Sequence, residues 1–171
     1  MKSVLICIQP QWCELIANGK KTIEVRKTRP KLDAPFKVYI YETKGKKQYF
    51  SQPLPIPYNE GQGKVVGEFV CDRISPIAMP GYELVDVVDC ETSCLSPKEM
   101  LDYAGGKPLD GWHISNLVIY DKPKELSEFH ITGCQGCKYK DTYHCKFHCR
   151  GKRRIKRPPQ SWCYVEEGSA E

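Results

Sequence analysis

Apolar and polar positions fall in short runs along this chain, and the period of each run predicts an element. Val4 to Ile8 is a continuous apolar stretch ending at Gln9-Pro10, the pattern of a short buried strand. Pro10 suits a first helical position and Gly19 a helix-ending one. Between them Trp12, Leu15 and Ile16 form one apolar stripe, so a helix spans residues 10–18 with Trp12 in its core face. Thr22 to Arg26 alternates as a strand, with Ile23 and Val25 on one face and Thr22, Glu24 and Arg26 on the other. Phe36 to Thr43 sets Phe36, Val38 and Ile40 against Lys37, Tyr39 and Tyr41. Residues 44–64, rich in Lys, Pro, Gly and Gln, read as an exposed loop. Lys64 to Ile74 resumes strand character through Val65, Val66, Phe69 and Val70.

A second helix is punctuated by Ser96 as N-cap, Pro97 as first residue, Glu99 completing a capping box, and Gly105 at the end. Trp112 to Tyr120 is a strand with His113, Ser115, Leu117 and Ile119 on one face, and Ser161 to Glu166 is the last strand. Short strands outnumber helices and few are joined by tight turns. The pattern predicts an α+β, mainly β fold, a compact mixed β-barrel with two short helices rather than a doubly wound sheet.

A chain of 171 residues suits a single domain spanning residues 1–171, and 40% hydrophobic with 27% charged residues is ordinary for a soluble protein. The early apolar run is too short for a membrane span or a secretory signal, so the chain is expected to be cytoplasmic, with no membrane partner. Charge changes the picture. Residues 138–157 carry nine Lys or Arg against Asp141 alone, a charge of +8 in a chain of net +5, which leaves the rest at −3. Such a segment fits a polyanion, and Lys152, Arg153, Arg154, Lys156 and Arg157 are the candidate nucleic-acid contacts.

Ten cysteines without a signal peptide argue against a disulfide framework. Six are scattered, as small buried residues are. Cys134, Cys137, Cys145 and Cys149 fall together as two closely spaced pairs, the supply of soft ligands that tetrahedral zinc requires. His144 and His148 keep the same spacing one residue earlier, so mixed ligand sets remain open. Residues 134–157 are therefore expected to be a basic, cysteine-rich insertion folded around a structural Zn2+.

Gly19-Lys20-Lys21-Thr22-Ile23-Glu24-Val25-Arg26 fits the pattern Gly-x-Lys-x-x-Glu-x-Arg, placed after a strand and a helix and running into a second strand. In this it resembles the ASCH family of the PUA-like group. The resemblance runs from Val4 to about Tyr41, and more loosely through Gly67-Glu68-Phe69, Trp112 to Ser115 and Ser161-Trp162. It implies a PUA-like barrel with a polar cleft, beside the first helix, suited to RNA or a modified nucleobase.

The residues agree with that independently. Glu24 and Arg26 project from one strand face and together offer an acceptor and several donors. Lys21 reaches the same place if it belongs to the turn after Gly19, where its charge avoids the core. Lys21, Glu24 and Arg26 are the candidate ligand-binding residues, joined by Tyr41, His113 and Ser115; Trp12, Tyr41 and Trp112 are candidate stacking surfaces. The alternative for Glu24 and Arg26 is an ordinary surface ion pair.

Three functions compete. The first is an ASCH-type module binding RNA or a nucleotide. The second is an amidohydrolase, because small ASCH-like enzymes that deacylate N4-acetylcytidine use a Lys and a Thr from this stretch with a distant Glu. Lys21 matches that lysine, but Glu24 stands in place of the threonine, which leaves Lys21 and Glu24 as the catalytic candidates. The third is a protein–protein adaptor that docks a partner through the zinc loop.

Overall fold

The computed structural model describes residues 2–45, 60–78, 87–131 and 153–167. Among the described residues eight strands make one mixed sheet in the order β2-β5-β4-β3-β1-β8-β6-β7. The strands are β1 (Ser3–Ile8), β2 (Ile23–Arg26), β3 (Phe36–Glu42), β4 (Val65–Ala78), β5 (Leu109–Lys124), β6 (Phe129–Ile131), β7 (Arg153–Arg154) and β8 (Trp162–Glu167). The helices are α1 (Pro10–Ala17), α2 (Val87–Ser93) and α3 (Pro97–Ala104), with a 3-10 turn at Leu126–Glu128. Among the described strands only β1 and β3 pair in parallel. No helix among the described residues is long and apolar enough to cross a membrane.

The alternation along β1 and β3 explains why both read as strongly apolar. Val4, Ile6 and Ile8 with Val38 and Ile40 face one cluster, completed by Phe69, Cys71, Trp112 and, from α1, Cys13 and Ile16. Leu5 and Cys7 with Tyr39 and Tyr41 face a second cluster with Phe129, Ile155, Cys163 and Val165. A strand covered on both sides loses its polar positions, hence the unbroken run from Val4 to Ile8. A third cluster packs Ile23 and Val25 of β2 against Met100 and Ala104 of α3, one turn apart, with Ile77 and Leu109.

The expected barrel is not closed by a ladder: β2 and β7 are the two edges of the sheet. Side chains draw the curled sheet together instead. Arg26 Nη2 donates to Cys7 O at 2.6 Å, Trp162 Nε1 to Thr28 Oγ1 at 3.0 Å, and the Lys31 amide to Tyr164 Oη at 2.7 Å. These contacts bring the end of β2 and the chain after it onto β1 and β8. Among the described residues three helices replace the expected two, because α2 is an additional short helix before α3.

The α3 boundaries follow the predicted capping chemistry. Ser96 Oγ accepts from the Glu99 amide at 3.3 Å, Glu99 Oε2 accepts from the Ser96 amide at 2.8 Å, and Gly105 takes the left-handed conformation with φ 54°. The Ser96 hydroxyl donates to Glu99 Oε2 at 2.7 Å, and that bond, with the one from the Ser96 amide, holds the Glu99 carboxyl below its ordinary range.

Candidate functional site

Gly19, with φ 75°, ends α1 and turns the chain so that the Lys21 amide donates to Leu15 O at 2.9 Å. β2 begins two residues later, so Lys21 belongs to the turn and escapes strand alternation. Its side chain runs inward and is 3% exposed. The ammonium donates to Ser93 O at 2.7 Å, lies 3.5 Å from Glu24 Oε2, and sits 5.3 Å from the centre of the Trp12 ring. Trp12 is therefore half-buried with a face toward this cluster, rather than a purely core residue of α1.

Glu24 Oε1 accepts from Arg26 Nη2 at 2.9 Å. That guanidinium also donates to Cys7 O, and its Nη1 reaches Ser161 Oγ at 3.4 Å. The C-terminal ends of α1, β1 and α2 and the start of β8 thus converge on Lys21, Glu24 and Arg26. All three are buried, which sets them apart from an exposed ion pair on a solvated strand face.

Burial pushes the Lys21 amine below its ordinary range, while the Glu24 carboxylate opposes the shift. The carbonyl at the C-terminal end of α2 also favours the charged form. Such a buried charge network is weak support for stability, since desolvation offsets its Coulombic attraction. Two further polar groups are left over: Arg26 Nε and Trp112 Nε1 are buried without a hydrogen-bond partner. Trp112 is the cross-strand neighbour of Glu24, so the indole shares the face of the carboxylate. A buried donor left unsatisfied costs about 1–3 kcal/mol.

The structure adds a residue that the sequence reading missed. Glu42 continues the face of Val38 and Ile40 and is 4% exposed. Its Oε2 accepts from the Gln62 amide at 2.7 Å, and among the described residues no cation lies within ion-pair distance. Cys13 of α1 lies near both carboxylates. Burial raises its thiol pKa, and Glu42 and Glu24 raise it further against the opposing Arg26. The signal for Glu42 was present, because it falls two residues beyond Ile40 on a face already read as buried.

Other candidates do not join this cluster. Tyr41 packs in the second hydrophobic cluster, on the opposite face of β3, where burial raises its hydroxyl pKa. His113 stands opposite Ile23 in the ladder and so takes the face away from Glu24. Its ring nitrogens meet Arg73 Nη2 at 3.2 Å and Ser75 Oγ at 2.8 Å. Arg73 can only donate, so Nδ1 accepts and a neutral ring carries its proton on Nε2, directed at Ser75. Ser115 Oγ donates to Val70 O at 2.9 Å. The expected alternation of β5 holds for His113 and Ser115 but not for Leu117, which packs with Trp112 and Ile114 on the side of the cluster, because the left-handed Asn116 (φ 46°) and a register shift break the period. Thr22 is exposed, and its amide and carbonyl are tied to Thr92 and Ile114.

Arg154, Lys156 and Arg157 are exposed, and Arg153 pairs with Ile131 in the β6/β7 ladder. Lys152, Cys134, Cys137, Cys145, Cys149, His144 and His148 lie outside the described residues. Among the described residues no group of three or more potential ligands is arranged to hold a metal. β6 is antiparallel to β8, and β8 to β1. The C-terminal end of β6 therefore points the same way as that of β1, toward the end of the sheet where Arg26 meets Cys7.

A sequence profile described as the ASCH domain matches residues 6–138. No curated protein sequence matches the chain significantly. The fold is similar to crystal structures of an ASCH protein from Zymomonas mobilis. A tyrosine-to-phenylalanine variant superposes with a TM-score of 0.57 at 17% identity, covering 97% of this chain and 91% of that one. A second crystal structure of that ASCH protein gives a TM-score of 0.56 at 18% identity, covering 96% of this chain and 87% of that one.

Proposed function

Because the chain belongs to the ASCH domain family, we propose that it is a nucleic-acid-binding module of the PUA-like kind, holding a nucleotide or modified base of RNA at Lys21, Glu24 and Arg26. The observation that carries this reading is the buried charge network with two unsatisfied donors beside it, Arg26 Nε and Trp112 Nε1. A base edge presents donors and acceptors in one plane. Glu24 supplies an acceptor, Arg26 and Trp112 supply donors, and the half-buried Trp12 ring offers a stacking surface. Six free cysteines among the described residues support a reducing, cytoplasmic setting.

Binding is favoured over hydrolysis because Glu24 occupies the position of the nucleophilic hydroxyl and Thr22 is exposed outside the cluster. Wild type, Lys21→Ala and Glu24→Gln are incubated with N4-acetylcytidine, with product followed by chromatography and binding by calorimetry. The expected result is weak or tight binding without turnover, lost in Lys21→Ala. Turnover by wild type that disappears in both variants would make the protein an amidohydrolase instead.

The reading includes one structural Zn2+, held by Cys134, Cys137, Cys145 and Cys149, with His144 or His148 as alternative ligands. What supports it is the paired cysteine spacing, together with the β6/β7 ladder, which sets Ile131 beside Arg153 and so closes the base of the segment. Elemental analysis of reduced protein purified without an affinity-metal step is expected to give one zinc per chain. A value near zero in folded protein contradicts the assignment.

A further inference from the structure

Four charged side chains are buried among the described residues: Lys21, Glu24, Arg26 and Glu42. Two positive and two negative charges balance, yet their contacts do not. Glu24 meets both cations, whereas among the described residues Glu42 meets none. Its one hydrogen bond there comes from the Gln62 amide to Oε2. A carboxylate accepts about four hydrogen bonds, so Oε1 and most of the capacity of Glu42 are unused. Burying such a group so sparsely bonded is costly.

The sheet places this spare acceptor beside the cluster. Glu42 pairs with Ile8 in the parallel β1/β3 ladder, so its side chain rises on the face of Ile8, toward the first hydrophobic cluster. Trp112, the cross-strand neighbour of Glu24, packs in that same cluster. Arg26 grips the carbonyl of Cys7, the residue before Ile8, and reaches Ser161 on the β8 side of β1. Glu42 belongs to β3, on the other side of β1. Cys13 of α1 covers the end of β1, its thiol 3.7 Å from Ile8 O, and feels the charges of Glu42, Glu24 and Arg26 alike.

The carboxylate is also held in place. Gly61 has φ 69°, and a Cβ there would lie 2.0 Å from Thr43 O and 2.7 Å from Pro10 Cγ. The chain at Gly61 is thus seated against the residue after β3 and the start of α1, which fixes the Gln62 amide and, through it, Glu42 Oε2.

We propose that Glu42 selects the base, its Oε1 accepting from an exocyclic amino group, with the unsatisfied donors Arg26 Nε and Trp112 Nε1 left for the acceptors of the same ring. The inference deepens the RNA-binding reading and rests on it for the presence of a base. Cytosine, adenine and guanine carry such an amino group, and uracil carries a carbonyl that the carboxylate repels.

The test uses the full chain and dodecamers of abasic sugar-phosphate bearing one central base. Cytosine, adenine and guanine are each compared with the same ring lacking the amine, namely 2-pyrimidinone, purine and hypoxanthine, and with the wholly abasic strand. Wild type should bind at least one amino-bearing strand about tenfold more tightly than its counterpart, the scale of one hydrogen bond to a charged group. Glu42→Gln should bind the two equally. The Gln62 amide needs the carbonyl of the new side chain, so its NH2 group meets the ligand amine and donor faces donor. Should Glu42→Gln fail to fold, as read by urea unfolding, Glu42→Asp keeps the charge but withdraws it, and must weaken the same preference.

A wild type that prefers bases over the abasic strand but ignores the amine overturns the role of Glu42 and leaves the RNA reading standing. An amine preference that persists undiminished in the folded variant overturns it too. No preference of wild type for any base over the abasic strand overturns both.

Discussion

Glu24→Leu should destabilise the protein by about 3–5 kcal/mol, because it leaves two cations buried without their shared counter-charge. Lys21 and Arg26 are almost wholly enclosed, and Glu24 is the only carboxylate within ion-pair distance of either among the described residues. Lys21 can relieve part of the cost by losing its proton, a change burial already favours. Arg26 cannot. With a total stability of roughly 5–15 kcal/mol typical of such domains, the loss should be plain in urea unfolding.

The informative comparison is Lys21→Met/Glu24→Leu/Arg26→Met. Replacing an entire buried charge network by apolar side chains of similar size is often neutral or stabilising by about 1–4 kcal/mol. Recovery of wild-type stability in the triple variant would show that the charges serve recognition rather than folding. A triple variant as unstable as Glu24→Leu would make the network structural.

Alkaline pH should unfold the protein steeply. Burial pushes the thiols of Cys7 and Cys71 up to about 12 and that of Cys163 up to about 11, and raises Cys13 as well, from an ordinary value of 9.0. In the unfolded chain these thiols ionise from about pH 9, while the folded protein still binds their protons. Stability is therefore fully present below pH 9 and falls as pH rises toward the folded values. Each thiol contributes about 1.4 kcal/mol per pH unit within that window, so four contribute about 5–6.

Lys21 acts in the other direction. Its folded pKa is lowered, so between that value and 10.5 the unfolded chain holds the extra proton and stability rises with pH. One proton gained against four lost leaves about 4 kcal/mol per pH unit in the overlap. Urea midpoints measured from pH 8 to 10.5 should drop accordingly, and Cys71→Ala/Cys163→Ala should flatten the drop even if it lowers stability at neutral pH. A midpoint unchanged across that range contradicts the burial of the thiols. The same shifts keep Cys13, near the two carboxylates, a protonated and unreactive packing residue at neutral pH.

Much of this arrangement was legible in the residues. Pro10 and Gly19 bracketed α1, Ser96 and Glu99 fixed the start of α3, and the turn after Gly19 gave Lys21 its route to Glu24 and Arg26. α2 was not legible. Val87, Val88, Thr92 and Ser93 have poor helix propensity, and the end of this helix is held by long-range contacts, the Thr22 amide on Thr92 O and Lys21 on Ser93 O. β6 and β7, of three and two residues, are too short to show a period.

Which face of β5 meets the cluster depended on register rather than pattern. Alternation grouped His113 with Ser115, but only pairing with β2 shows that Trp112 stands beside Glu24. Ser161 and the carbonyls of Cys7 and Ser93 carry no sequence signature, because backbone groups from distant elements acquire their roles only by folding.

The central claim is that the buried Lys21–Glu24–Arg26 cluster reads a base of bound RNA. The most direct measurement is the affinity of wild type and Glu24→Gln, which keeps the shape of the side chain, for a base-bearing RNA dodecamer and the matching abasic strand. Wild type should prefer the base-bearing strand by about tenfold or more, the scale of one stacked and hydrogen-bonded base. Glu24→Gln should lose that preference with its salt slope unchanged. Equal affinity of wild type for the two strands, or a preference untouched in Glu24→Gln, would contradict the account.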